Sequence, residues 1–224
     1  NSYSFTDSYF NDFESNNLKT ALNGFNSYYA DKTIDNVLLD ERPMSELYAL
    51  KKGQLVRTES EGDMDMISSI GMLSYTEKTY NNFQLDVDFR QGGNSWGWAM
   101  VGFGLKKPNA FFNNTDDGGT LAYVEMEGYP NLLGKLPNVA NNHLRETENI
   151  VPGYSDTWAT EMHHMTLIVY RFKVTMIVDG YVMLEQKLGS AYRGGYISLL
   201  SNRNNAIYDN LLIRSIDTPT PIAV

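Results

Sequence analysis

The chain has no cysteine, and that absence removes disulfide bridges, zinc–thiolate centres and thiol nucleophiles together. It does not fix a compartment, because secreted chains also dispense with cysteine. Positive charge is in short supply: 18 Lys plus Arg stand against 27 Asp plus Glu, a formal net charge of −9. Phosphate backbones and anionic lipids repel such a chain, so nucleic acid and membrane surfaces are poor partners. No uninterrupted apolar run approaches the roughly 18–20 residues that span a bilayer, which argues against membrane insertion. Helical periodicity is equally scarce. Only Ser45–Lys51 predicts a turn or two of helix, with Ser45 as its cap and Gly53 limiting it. The chain opens at Asn1 with neither an initiator Met nor a signal peptide, so we read it as a mature or trimmed fragment.

What the sequence does contain is period-two alternation. Phe83-Gln84-Leu85-Asp86-Val87-Asp88-Phe89-Arg90 alternates apolar and polar without a fault, as a half-buried antiparallel strand does. Met165–Tyr170 and Lys173–Val178 are apolar and β-branched, joined closely enough to form a hairpin. Asp179-Gly180 then supplies the positive-φ pair of a tight turn, predicting a return strand over Tyr181–Leu188. Strands follow over Tyr196–Leu200 and Asp209–Ile216. Many short strands punctuated by Gly, Asn and Asp predict an all-β protein, a sandwich or barrel. The segment Gly128–Thr160 is too long for an ordinary connection; such stretches are functional or hide short strands. Asp217-Thr218-Pro219-Thr220-Pro221 reads as a linker, so residues 1–217 are taken as one domain and 218–224 as a linker-like tail within a larger multidomain protein.

Two segments carry the functional signal. In Trp96–Phe103, Trp96, Trp98 and Met100 share one strand face, and Ala99, Val101 and Phe103 share the other. In Leu121–Glu127, Ala122, Val124 and Met126 oppose Tyr123, Glu125 and Glu127. If the apolar edges enter one core, the opposite face carries indoles, a phenol and two carboxylates. Such a face suits a sugar: rings stack on C–H faces while polar groups take hydroxyls. The same tryptophans also suit a core, with the other edge turned outward.

The closing strands, with His164-Met165-Thr166-Leu167, Val174–Gly180, Gly194-Gly195-Tyr196-Ile197-Ser198-Leu199 and Ala206-Ile207-Tyr208-Asp209-Asn210-Leu211 in order, resemble those of concanavalin-A-like jelly rolls. These occur as carbohydrate-binding modules, laminin-G-like domains and keto-glycoside-hydrolase-like domains. Phe10-Asn11-Asp12-Phe13-Glu14 is similar to the family's N-terminal segment, which lies beside the last strand, and Tyr80–Arg90 to one of its internal strands. The resemblance implies a two-sheet antiparallel jelly-roll sandwich, an oligo- or polysaccharide partner and an extracellular or cell-surface location. It also implies a structural calcium where the N-terminal segment meets the last strand, at Asp12 and Asp209 with Glu14 as helper. Glu125-Met126-Glu127 is only a partial echo of the Glu-x-Asp-x-x-Glu strand of laminarinase-like hydrolases.

Three readings therefore stand at this stage. In the first, a carbohydrate-binding domain uses Trp96, Trp98, Tyr123, Glu125 and Glu127, with Arg145 and Trp158 from the long segment forming a second wall. In the second, Glu125 and Glu127 are the acid and nucleophile of a glycoside hydrolase, their Cα atoms about 6.5–7 Å apart on one strand. In the third, the aromatic face is a partner surface of a protein-binding adhesion sandwich. Solvated carboxylates, a Trp158 packed under its loop and an Arg145 paired with Glu146 or Glu148 are the non-functional alternatives. His163 and His164, adjacent on a strand, point to opposite faces and do not chelate one zinc.

Overall fold

Phe83–Arg90, the cleanest alternation in the sequence, lies inside a sheet with Phe83, Leu85, Val87 and Phe89 buried and the residues between them half-exposed. The computed structural model describes residues 3–32, 36–58, 68–92, 97–134, 143–146, 149–202 and 205–219. Among these the chain begins with β1 (Phe5–Asn11), β2 (Phe25–Lys32), β3 (Asp40–Glu41), β4 (Tyr48–Lys51) and β5 (Gln54–Arg57). One short helix, α1 (Leu18–Ala21), separates β1 from β2. Next come β6 (Ser68–Tyr80), β7 (Phe83–Arg90), β8 (Ala99–Leu105), β9 (Thr120–Val124), β10 (Pro130–Gly134) and β11 (His143–Glu146). The last third gives β12 (His163–Tyr170), β13 (Lys173–Val178), β14 (Tyr181–Lys187), β15 (Gly195–Ser201) and β16 (Ile207–Ile216).

The strands form two antiparallel sheets. The first runs β14-β13-β12-β7-β16-β5-β4, with β1 also paired to β16. There Phe10 lies opposite Leu212, so the N-terminal segment does lie beside the last strand. The second runs β11-β10-β9-β8-β15-β6-β2-β3. Tight turns fall where the sequence asks for them. Asp179 and Gly180 take φ of 50° and 82°, and Arg171 and Phe172 take 47° and 63°, the positive pair that matches strand twist in a two-residue hairpin.

Between the sheets, Leu85, Val87, Leu167, Met176 and Ile213 meet Leu73, Val101, Phe103, Ala122 and Leu199 in one core. A second apolar cluster covers the far face of the second sheet. Met72, Met100, Leu121, Tyr123 and Leu200 pack there under Leu39, Ala110, Phe111 and Phe112. β8 and β9 are therefore buried along their whole length rather than on alternate residues. The covering segment is pinned by Leu39 N–H donating to Asn109 O (2.8 Å) and by the Asn114 amide donating to Asn36 O (3.1 Å). It lies so close to β8 that a Cβ on Gly119 would sit 2.2 Å from the Phe103 carbonyl oxygen. Burying a ring such as Phe111 contributes about 1.5–3 kcal/mol, which is what holds the segment down.

One expectation about local structure changes and another is made specific. Ser45–Lys51 is not helical beyond a 3-10 turn at Met44–Glu46; Tyr48 onward is β4. Tyr48 is fully buried and pairs with Arg57 across the ladder, and sheet pairing outweighs a helix too short to nucleate. The segment Gly128–Thr160 does hide short strands: it contains β10, which extends the second sheet from β9, and β11 beyond it.

Candidate functional site

The aromatic face has the parity expected. Trp98, Met100 and Tyr123 lie on the side of the second sheet opposite Ala99, Val101, Phe103, Ala122 and Val124. The Trp98 backbone N–H donates to Asn202 Oδ1 (2.7 Å), and its ring lies 5.3 Å from that of Tyr123, tilted by 32°. Asn131, opposite Tyr123 on β10, donates through Nδ2 to the Tyr123 hydroxyl (3.0 Å) and to Glu125 Oε1 (2.8 Å). Both rings are nonetheless shut away: Trp98 is 4% exposed and Tyr123 not at all. They form the floor under Phe111 and Phe112, not an open stacking surface, and Trp98 Nε1 meets no acceptor among the described residues. Trp96 lies outside the described residues.

The remaining expected site residues do not assemble around that face. β9 stops at Val124, because Glu125 N–H turns to Tyr129 O (2.7 Å). Glu127 is exposed in a 3-10 turn with φ of 69°, so the two carboxylates do not share a strand face. Trp158 belongs to the core between the sheets. It is 2% exposed, stacked on His163 at 3.7 Å and edge-on to Phe89 at 6.1 Å, so it forms no wall. Arg145 sits on β11 opposite Leu132, and its side chain lies outside the described part. Asp12 Oδ1 accepts from Glu14 N–H (3.1 Å) and Asp209 Oδ1 from Asn210 N–H (2.9 Å), each serving a local turn. Burial first, then the charges of Asp88 and Glu14, raise the Asp209 pKa against hydrogen bonds from Asn210 and Gln54. Among the described residues no three histidine or carboxylate side chains gather as a ligand set.

On the outer face of the first sheet an imidazole–carboxylate cluster appears that motif reading passed over. His164 Nδ1 faces Asp88 Oδ1 (2.7 Å) and its Nε2 faces Asp86 Oδ1 (3.0 Å). Thr166 Oγ1 donates to Asp86 as well (2.6 Å), and Asn210 Nδ2 donates to Asp88 Oδ2 (2.9 Å). Burial opposes charging His164, but its bonds to Asp88 and Asp86 and their charges raise its pKa above the ordinary 6.5. Burial likewise opposes charge on Asp86, yet hydrogen bonds from Thr166, Gln84 and His164 hold its carboxyl below the ordinary value. His163 faces the other way, as parity requires, with Nε2 donating to Trp158 O (2.8 Å) and Nδ1 against Asp179 Oδ2 (2.7 Å). His163, His164, Asp88 and Asp179 line a polar cleft of about 360 Å³ with Gln54, Met162 and Asp209.

A roomier opening lies elsewhere, at the β2–β3 edge of the second sheet. It is a groove of about 700 Å³ between α1 and the 3-10 turn, floored by the start of β2. Asn17 starts α1 by accepting Thr20 N–H on its side chain (3.0 Å), and Gly24, at φ 89°, turns the chain into β2. This brings Leu18 and Lys19 over Phe25, Asn26 and Ser27. The opposite wall, Glu41–Ser45, is fixed by Arg42 N–H donating to Ser27 O (3.1 Å) and by the Ser27 hydroxyl donating to Arg42 O. Leu18, Phe25 and Met44 give an apolar floor, while Lys19, Asn26, Glu41, Arg42 and Ser45 give a polar rim. The Arg42 guanidinium carbon lies 3.8 Å from the centre of the Tyr29 ring.

No protein-family model and no curated protein sequence matches the chain. Solved structures do. A laminarinase from Rhodothermus marinus is similar at TM-score 0.66 and 10% identity, covering 97% of this chain and 99% of its own. A protein with a galectin-like fold from Bacillus subtilis aligns at TM-score 0.59 and 14% identity over 97% and 100%. The carbohydrate-binding module CBM66 from Bacillus subtilis aligns at 0.53 and 14% over 86% and 96%. The fold is thus a concanavalin-A-like jelly-roll sandwich. Its structural neighbours include carbohydrate-binding modules, glycoside hydrolases and a lyase. At these identities the likeness speaks to fold, and no helix among the described residues is long and apolar enough to cross a membrane.

Proposed function

We propose that the chain is a non-catalytic carbohydrate-binding domain of a larger protein acting outside the cell, and that sugar enters the groove between α1 and Glu41–Ser45. The observation that carries this reading is the groove's make-up. It is of ligand size, and it sets Leu18, Phe25 and Met44 beneath a rim of hydrogen-bonding side chains. An apolar floor with a few placed polar groups is the general form of a small-ligand site, and it suits a ring with one C–H face and many hydroxyls. Neighbours named for carbohydrate binding, glucan cleavage and alginate cleavage share the fold and support the class of ligand. Against the hydrolase reading stands the geometry of Glu125 and Glu127, which do not share the strand face on which that reading paired them.

A glycan array read beside a reducing-end assay tests the reading. The parent should bind at least one saccharide without releasing reducing ends, and Ser45→Trp, which fills the groove from an exposed position, should lose that binding. Turnover that disappears in Glu125→Gln returns the chain to the hydrolases. Binding undiminished in Ser45→Trp removes the groove from the account, and binding to no glycan removes the function.

A further inference from the structure

We infer that the groove takes an acidic sugar, one whose ring carries a carboxylate, with Arg42 as the group that reads it. The inference rests on the proposal that the groove binds carbohydrate, and it names the class. Arg42 lies with its guanidinium carbon 3.8 Å from the Tyr29 ring centre. Stacking engages the flat face of the guanidinium and leaves its in-plane N–H fork free, the edge that matches a carboxylate through two parallel hydrogen bonds. Neither Arg42 nor Lys19, on the opposite wall, has an ion-pair partner among the described residues, and the Arg42 fork donates to none of them. The ring beneath is itself anchored, since the Tyr29 hydroxyl donates to Asp31 Oδ1 (2.5 Å). The cation is therefore pre-positioned without being neutralised, and little side-chain freedom is left to lose on binding.

Charge complementarity points the same way. The chain carries a net −9, yet the groove is lined by the cations Lys19 and Arg42 against one carboxylate, Glu41. A local excess of positive charge on an acidic protein favours an anion. The rest of the lining fits a sugar better than an alkyl chain. Glu41 at the rim is an acceptor for hydroxyls. Ser45 adds a hydroxyl, and the apolar residues are confined to the floor.

The experiment is a set of calorimetric titrations of the whole chain with oligomers of galacturonate, glucuronate, mannuronate and guluronate, with their neutral methyl esters, and with octanoate. At least one uronate oligomer should bind more tightly than its ester, and added salt should weaken it. Arg42→Gln should weaken that acid by about tenfold or more and Lys19→Gln by less, each weakening the acid more than it weakens the ester. Glu41→Gln, which removes the one opposing charge, should not weaken the acid. Acid and ester binding alike, or an acid indifferent to Arg42→Gln, overturns the acidic-sugar inference while leaving carbohydrate binding in place. Tighter binding of octanoate overturns it too, and no binding of any saccharide overturns both.

Discussion

The outer faces of the two sheets differ as much as two faces of one sandwich can. On the first, β7 alternates buried and half-exposed residues, and its outward row of Gln84, Asp86 and Asp88 joins His164, Thr166 and Asn210 in a hydrogen-bonded polar surface. On the second, β8 and β9 are buried on both sides because residues 106–119 fold back over Met100, Leu121 and Tyr123. Strand parity assigns residues to a face with equal success in both cases. It says nothing about which face the chain will cover afterwards. That difference decides what becomes of the aromatic residues: on the covered face they form a second core, and the groove proposed for the ligand lies at the sheet edge instead.

The comparison can be broken by cutting into each face in turn. The largest effect belongs to the covered face. Phe111→Ala should cost about 3–5 kcal/mol in denaturant unfolding, because it opens a cavity under the covering segment. Thr166→Ala on the polar face removes a hydrogen bond to Asp86 and should cost only about 0.5–1.5 kcal/mol. Equal losses would mean that the covering segment is not packed as described. Gly119→Ala comes next, at about 1–3 kcal/mol, since its methyl would collide with the Phe103 carbonyl. A neutral result there would show that the segment shifts freely off β8.

The polar face should announce itself through pH. The His164 pKa is raised in the folded state, so its contribution is fully present below about pH 6.5 and is lost as pH rises through the folded value. Asp86 is lowered, so its contribution is present above its ordinary 3.8 and disappears on acidification. The parent melting temperature should therefore fall on passing from pH 6 to pH 8, and His164→Gln should flatten that decline. An unchanged slope in the variant would remove His164 from the ledger. The smallest effect concerns Asp209, whose charge is disfavoured by burial and by Asp88 and Glu14. Asp209→Asn should leave stability at pH 7 unchanged or raise it by no more than about 0.5 kcal/mol, with or without added calcium. A loss of stability seen only with calcium would point to a metal at Asp12, Glu14 and Asp209.

Much of the fold is legible in the sequence, and the reasons are local. The alternation of β7, the hairpins through β12, β13 and β14 and the Asp179-Gly180 turn each need only a few neighbouring residues to declare themselves. The longest strand, β6, is harder to see, because Ile70, Met72 and Leu73 are apolar on both faces and blur the period. The site was less legible still. The positions of Trp98 and Tyr123 follow from parity, but their burial depends on Phe111 and Phe112, which carry no strand signal. Trp158 stacks on His163 in the core, a pairing that spacing alone does not reveal. The groove joins residues from 18–19, 25–27 and 41–45, three short stretches that contain no motif and meet only after β2 pairs with β3. The one local hint is Arg42 beside a two-residue strand, and its value depends on Tyr29 lying beneath it.

Hydrogen exchange with and without a saturating saccharide, chosen from the array, tests the central claim most directly. The account predicts new protection over Leu18–Ser27 and Glu41–Ser45, with β8 and β9 unaltered because they are closed already. Protection confined to the stretch from Trp98 to Asn131, with the groove unchanged, would contradict it.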